Sequence, residues 1–203
     1  HFGAMKHSAM ADAKVKRFVK QALTANSVGI LGAGNLTDMM ALVTLYKQLQ
    51  MKYIVDPGQQ LVWLTPAQLR TLLSGAHTLI VNDYELDLVL KKLKTTAKKL
   101  QQQLPQLIVT LGGKGAYWYV NGQRHVLPTA KPKKVVDPTG AGDAYRSGVI
   151  LGMLYNWEPA VAGRVAALCA TYAIEHYGTQ NHHFTVSQFK KRYYQQFKQS
   201  IKI

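Results

Sequence analysis

Asp137-Pro138-Thr139-Gly140-Ala141-Gly142-Asp143-Ala144 opens a long helical stretch. Two glycines and an alanine at a helix start leave several backbone N–H donors without partners at the positive end of the helix dipole. Such an end attracts anions. Asp143 then falls inside the anion pocket, in the first turn of the helix. From there a carboxylate can take a proton from a nucleophile while neighbouring N–H groups hold phosphoryl charge. An ordinary capped helix start is the plain structural alternative.

Before this stretch, apolar strand-like runs alternate with helix-like ones joined by short turns, an α/β pattern. Residues 8–24 carry apolar positions at helical spacing. Strands are expected over 27–31, 52–55, 78–81 and 107–111, and helices over 36–49, 66–73 and 83–103, with Thr65 as N-cap and Pro66 at the first position of the second helix. The pattern then changes. Ala116–Val120 and Arg124–Leu127 flank Asn121-Gly122, a pair that suits a tight hairpin, so an antiparallel ribbon is expected at the edge of a mostly parallel sheet. From Gly140 onward the spacing predicts helices over 141–155, 159–177 and 185–200. No repeat, linker or domain boundary interrupts the 203 residues, and one domain is the expectation.

Two further glycine turns follow strands, where α/β proteins place phosphates. Gly32-Ala33-Gly34-Asn35-Leu36-Thr37, with Asp56 a strand–helix–strand later, looks like a dinucleotide fingerprint. Thr37 stands at the third glycine position, however, so a tight strand-to-helix turn is the reading. Thr110-Leu111-Gly112-Gly113-Lys114-Gly115 is no Walker A loop, since no Ser or Thr follows the lysine and a hairpin, not a helix, comes next. It is either a simple turn or a place where a flat ligand such as adenine approaches the backbone. Asn82-Asp83-Tyr84-Glu85 follows a buried strand. Its Asn and Glu could order a metal-bound water shell, and they fit an N-capping box equally well.

Composition narrows the partners. Hydrophobic residues make up 47% of the chain, and no run approaches the roughly 20 apolar residues of a membrane span. The lone Cys169 reads as a small hydrophobe, and a cytoplasmic protein is the expectation. A net charge of +15 invites a nucleic-acid-binding module. The positive residues are mostly helical lysines (Lys91, Lys92, Lys94, Lys98 and Lys99, then Lys190, Lys191, Arg192 and Lys198) without interleaved aromatics. They read as a solvated surface whose economical use is to attract ATP.

The run from Asp137 to Gly148 resembles the C-terminal signature of the ribokinase-like, or phosphofructokinase-B, kinases. Asn82-x-x-Glu85 and Thr110-x-Gly112-x-x-Gly115 match the same family in the same order. The resemblance implies a three-layer α/β/α ribokinase-like fold with helices on both faces of the sheet, and ATP-dependent phosphoryl transfer to an alcohol group. It implies that Asp143 is the catalytic base and that the N–H groups of Gly140, Ala141 and Gly142 form the anion hole. Asn82 and Glu85 would position magnesium (Mg2+), and Thr110, Gly112, Gly113 and Gly115 would line the ATP site. Asp137 and Thr139 would match a monovalent-cation site, potassium (K+) in many members, with carbonyls near residues 173–182. Residues 136–140 and 175–185 look like those of bacterial adenosine-kinase-like members, which favours adenosine as acceptor over a sugar such as ribose or fructose. The resemblance also implies that residues 1–203 are the C-terminal nucleotide-binding and catalytic portion, with the N-terminal strands and lid absent and His1–Met5 matching a segment after the lid. A fragment that binds nucleotide without turning over is therefore a competing expectation. ATP and a small acceptor are the expected partners, with a homodimer open and neither membrane nor nucleic acid expected.

Overall fold

Parallel strands need a crossover between them, and the sequence supplies a helix after each of the first three. The computed structural model describes residues 8–24 and 26–203. Numbered in chain order, its elements begin with α1 (Ala13–Ala22), β1 (Val28–Leu31), α2 (Leu36–Gln48), β2 (Lys52–Val55), α3 (Pro66–Leu73) and β3 (Thr78–Asn82). They continue with α4 (Asp83–Leu93), α5 (Ala97–Gln103), β4 (Gln106–Thr110), β5 (Ala116–Val120) and β6 (Gln123–Leu127), and end with α6 (Ala141–Leu154), α7 (Pro159–Ile174) and α8 (Val186–Phe197). The six strands hydrogen-bond in the order β1 to β6, and β1 to β4 pair in parallel. The β5–β6 hairpin turns on Asn121 at φ 48° and Gly122 at φ 80°, the left-handed pair that a two-residue turn requires. The expected α/β class, mostly parallel with an antiparallel edge, is what the structure contains.

Four expected helices differ in extent. That over 159–177 ends at Ile174. The 83–103 helix breaks, because Lys94 takes a left-handed φ of 50° and Thr96 turns its side chain to cap α5 by accepting from the Lys99 N–H. Apolar periodicity runs through both pieces, so the break is visible only in the β-branched Thr95-Thr96 pair. Residues 8–24 divide into a 3-10 turn at Ala9–Ala11 and α1, with the Asp12 carboxylate accepting from Lys14 and Val15 N–H at the joint. The last helix stops at Phe197, with Lys198 left-handed at φ 54°. The reading of His1–Met5 lies outside the described residues. Among the described residues no helix is long and apolar enough to cross a membrane.

Contacts divide the chain into two compact units. The first holds the chain through Thr110 together with Tyr119–Arg124. Its strands β2, β3 and β4 are buried, and α2 packs against α3 and α3 against α4. The second holds Leu111–Trp118 and His125–Ile203. There α6 meets α7 through small residues, with Gly148 against Ala166 and Gly152 against Ala162, which lets the helix backbones approach closely. Val165, Leu168, Tyr172, Phe189 and Tyr193 form a core with partly buried Cys169 at its margin. Burial pushes the Cys169 thiol up to about 11 against a weaker pull from Ser147, which suits an inert side chain.

One basic residue departs from the solvated-surface reading. Arg192 is buried, and its two terminal nitrogens grip the Glu175 carboxylate at 2.7 and 2.5 Å. The Lys133 N–H donates to the same carboxylate at 2.5 Å. Arg192 also lies 4.6 Å from the centre of the Tyr172 ring, so its role is internal.

Candidate active site

Gly140 is the N-cap of α6 at φ 83°, and no side chain caps that helix. A Cβ at Gly140 would stand 3.0 Å from the Cα of Thr179, so both the backbone conformation and the space call for glycine. The N–H of Ala144 reaches the Gly140 carbonyl at 2.9 Å. The N–H groups of Ala141, Gly142 and Asp143 come before that first helical bond. That of Ala141 bridges to the Pro138 carbonyl at 3.2 Å, a long bond that closes the turn into the helix.

The Asp143 side chain is 80% exposed at this helix start. Its Oδ1 accepts from Nη1 of Arg146, one turn on, at 2.9 Å. Asp137 is half-buried in the loop before α6. Its Oδ1 accepts from the Thr139 N–H and its Oδ2 from the Gly178 N–H, both at 2.9 Å. The Thr139 hydroxyl and then these two N–H groups hold the Asp137 carboxyl below the usual carboxylate range, against a small opposing effect of burial. Val136 and Asp137 also donate to the Ile174 carbonyl, at 2.8 and 3.2 Å.

In the first unit, Asn82 and Thr110 stand at the same register at the carboxyl ends of β3 and β4. That is the edge at which open α/β sheets bind ligands. Asn82 and Glu85 form a reciprocal capping box: Asn82 Oδ1 accepts from the Glu85 N–H at 2.7 Å, and Glu85 Oε2 accepts from the Asn82 N–H at 2.9 Å. The Thr110 hydroxyl donates to the Val81 carbonyl at 3.4 Å.

The following loop belongs to the second unit. It is a 3-10 turn at Gly112–Lys114, with Gly112 at φ 55° and Gly115 at φ 94°. A Cβ on Gly115 would strike the Leu127 carbonyl, whereas Gly112 and Gly113 face open space. The Gly32–Thr37 turn closes on its own chain. Asn35 caps α2, Gln60 Nε2 donates to the Gly34 carbonyl at 2.7 Å, and Asp56 is buried.

The structure therefore gathers Asp137, Thr139, Gly140, Ala141, Gly142 and Asp143 at the start of α6, and Asn82, Glu85 and Thr110 at one strand edge. Arg146 was not singled out as a site residue, although its i,i+3 spacing to Asp143 could have flagged it. Gly178 and Thr179 fell only within the 173–182 span expected to offer backbone carbonyls, whereas here the Gly178 N–H holds Asp137 and Thr179 packs against Gly140. Among the described residues no group of three or more His, Cys, Asp or Glu side chains could hold a metal ion. Asn82 and Glu85 offer the oxygen donors that Mg2+ takes. The single side-chain oxygen of Asn82 and one of the two of Glu85 already accept backbone N–H bonds, however, so they fit the ion through its waters. At Asp137 both oxygens already accept N–H bonds, a poorer fit for K+.

Residues 5–185 match the family described as pfkB family carbohydrate kinase. A nucleoside kinase of Methanothermobacter thermautotrophicus is 32% identical over 139 residues, 68% of this chain and 44% of that protein. A nucleoside kinase of Methanocaldococcus jannaschii is 30% identical over 125 residues, 62% of this chain and 41% of that one. Among solved structures, the Burkholderia thailandensis nucleoside kinase in complex with inosine is similar at a TM-score of 0.84 and 30% identity, over 86% of this chain and 58% of its own. The crystal structure of the Methanocaldococcus jannaschii nucleoside kinase, an archaeal member of the ribokinase family, shares the fold at a TM-score of 0.76 and 23% identity, over 87% of this chain and 60% of its own. The chain spans less than half the length of the two archaeal proteins matched by sequence, 44% and 41%.

Proposed function

The chain belongs to the pfkB carbohydrate-kinase family, and from that membership we propose that it performs the phosphoryl-transfer step of an ATP-dependent nucleoside kinase. The observation that carries this reading is the start of α6, where an exposed acid stands in the first turn of a helix that no side chain caps. Asp143 takes the proton of the acceptor hydroxyl, the oxygen bonds to the γ-phosphorus of ATP, and the bond to ADP breaks. The N–H groups of Gly140, Ala141 and Gly142 hold the charge on the transferring group, with the long Ala141–Pro138 bond giving way. Thr110, Gly112, Gly113 and Gly115 line the nucleotide. Asn82 and Glu85 would hold Mg2+ through its waters, and that ion, when bound, neutralises phosphate charge. The resemblance implies a monovalent cation such as K+ at Asp137 and Thr139, where the Asp137 oxygens would first have to give up their N–H bonds.

Adenosine is the acceptor favoured by the sequence. A nucleoside acceptor is supported by the inosine complex of the Burkholderia thailandensis relative, at 30% identity. Residues 1–203 act in this reading as one nucleotide-binding and catalytic domain in the cytoplasm, and a homodimer is open to direct measurement. The test is transfer of labelled γ-phosphate from MgATP to adenosine, inosine, ribose and fructose. Label on the nucleosides supports the proposal. Label on the sugars alone moves the protein to sugar kinases, and nucleotide binding without transfer to any acceptor leaves only a nucleotide-binding chain.

A further inference from the structure

Arg146 sits where the helix dipole alone would not put a cation. Helical side chains lean toward the N-terminus, and this one reaches back to the positive end of α6, where a second positive charge is disfavoured. Its guanidinium lies over Gly142: a Cβ there would stand 3.0 Å from Nη1, 3.6 Å from Cζ and 3.7 Å from Nη2. The residue that leaves room for an incoming anion therefore also gives the arginine its berth. Arg146 is 20% exposed and its partner Asp143 80%, so the cation is the settled member of the pair and the carboxylate the movable one. A base whose oxygen accepts from a guanidinium is poorly placed to receive a proton from anything else.

We propose that Arg146 exchanges partners during the reaction: the Asp143 carboxylate swings away from it, and the guanidinium, staying in place, takes the γ-phosphoryl oxygens of a bound nucleoside triphosphate. This rests on Asp143 being the base. The triphosphate's terminal group brings more charge than one carboxylate and suits the planar, forked guanidinium. Its arrival releases the base at the moment an acceptor can be used, and it supplies a cation to the transferring group. A diphosphate ends short of that position and leaves the Arg146–Asp143 pair closed.

The experiment compares the affinity of the unaltered chain, Arg146→Gln and Arg146→Lys for a β,γ-methylene ATP analogue and for ADP, with melting temperature recorded alongside. Arg146→Gln should lose about tenfold in analogue affinity, the size of one charge-assisted hydrogen bond, with ADP affinity unchanged and Arg146→Lys between the two. Unchanged affinity for both nucleotides would reduce the pair to a surface i,i+3 contact and overturn the proposal. Peptide-mapped phenylglyoxal modification gives the same answer without a substitution. The analogue should protect Arg146 and ADP should not, and equal reactivity with either nucleotide would also overturn the proposal. Normal turnover by Asp143→Asn would remove the base and with it the exchange. The triphosphate-over-diphosphate preference would still decide separately whether Arg146 touches the terminal phosphoryl group.

Discussion

Asp137 Oδ2 and the Gly178 N–H are 41 residues apart in the chain and 2.9 Å apart in the fold. With the bonds from Val136 and Asp137 to the Ile174 carbonyl, this contact ties the loop before α6 to the chain after α7. The tie sets Gly140 against Thr179, in a left-handed conformation that leaves no room for a side chain. Gly140→Ala should therefore destabilise the chain by more than about 1 kcal/mol and weaken nucleotide binding with it. Denaturant melts and nucleotide titrations check this. A substitution that costs stability but leaves nucleotide affinity intact would separate the tie from the anion hole.

Asp143→Asn keeps the shape of the side chain and an acceptor oxygen for Arg146 while removing the capacity to take a proton. Turnover should fall by about 10²–10⁴, with nucleotide affinity changed far less. Near-normal transfer to a nucleoside by this variant would mean that another group is the base.

The capping box makes two predictions that pull apart stability and metal. Asn82→Ala should cost about 1 kcal/mol through the lost cap of α4. Glu85→Gln keeps an acceptor for the Asn82 N–H, so stability should hold while the Mg2+ concentration for half-maximal rate rises. A lower melting temperature with an unchanged Mg2+ requirement would leave these residues a purely structural job.

Much of this was legible in the chain, for identifiable reasons. Strand-to-helix alternation and the Asn121-Gly122 turn are local patterns, and they predicted the parallel strands and the edge hairpin. The helix start at Gly140 announced itself because glycine spacing is also local. The break at Lys94 was hidden, since apolar spacing continues across it while the cap depends on the backbone of one residue. The Asp137–Gly178 bond and the burial of Arg192 were out of reach, because each depends on a partner that only the packed fold brings near. In a lysine-rich helix, nothing in the composition marks the one arginine that turns inward.

That inward arginine makes stability depend on pH. Burial works to raise the Glu175 carboxyl, but the Arg192 fork and the Lys133 N–H outweigh it and hold the group below its ordinary value. A carboxylate lowered in the fold contributes stability that is fully present above its unfolded value and is lost as pH falls through its folded one. The part of the unfolding free energy that this pair supplies should thus decline as pH falls below about 4.5. It adds to an earlier slope below about pH 6.5 from His77 and His182, both lowered by burial. Glu175→Gln removes the negative partner and leaves Arg192 buried with a neutral acceptor, so it should cost about 3 kcal/mol at neutral pH. It should also flatten the acid decline, while Asp137, likewise lowered, keeps part of the slope. Denaturant melts across that range read both effects. Parallel declines in the two proteins would show that the pair does not titrate with folding, even if the neutral-pH cost were as expected.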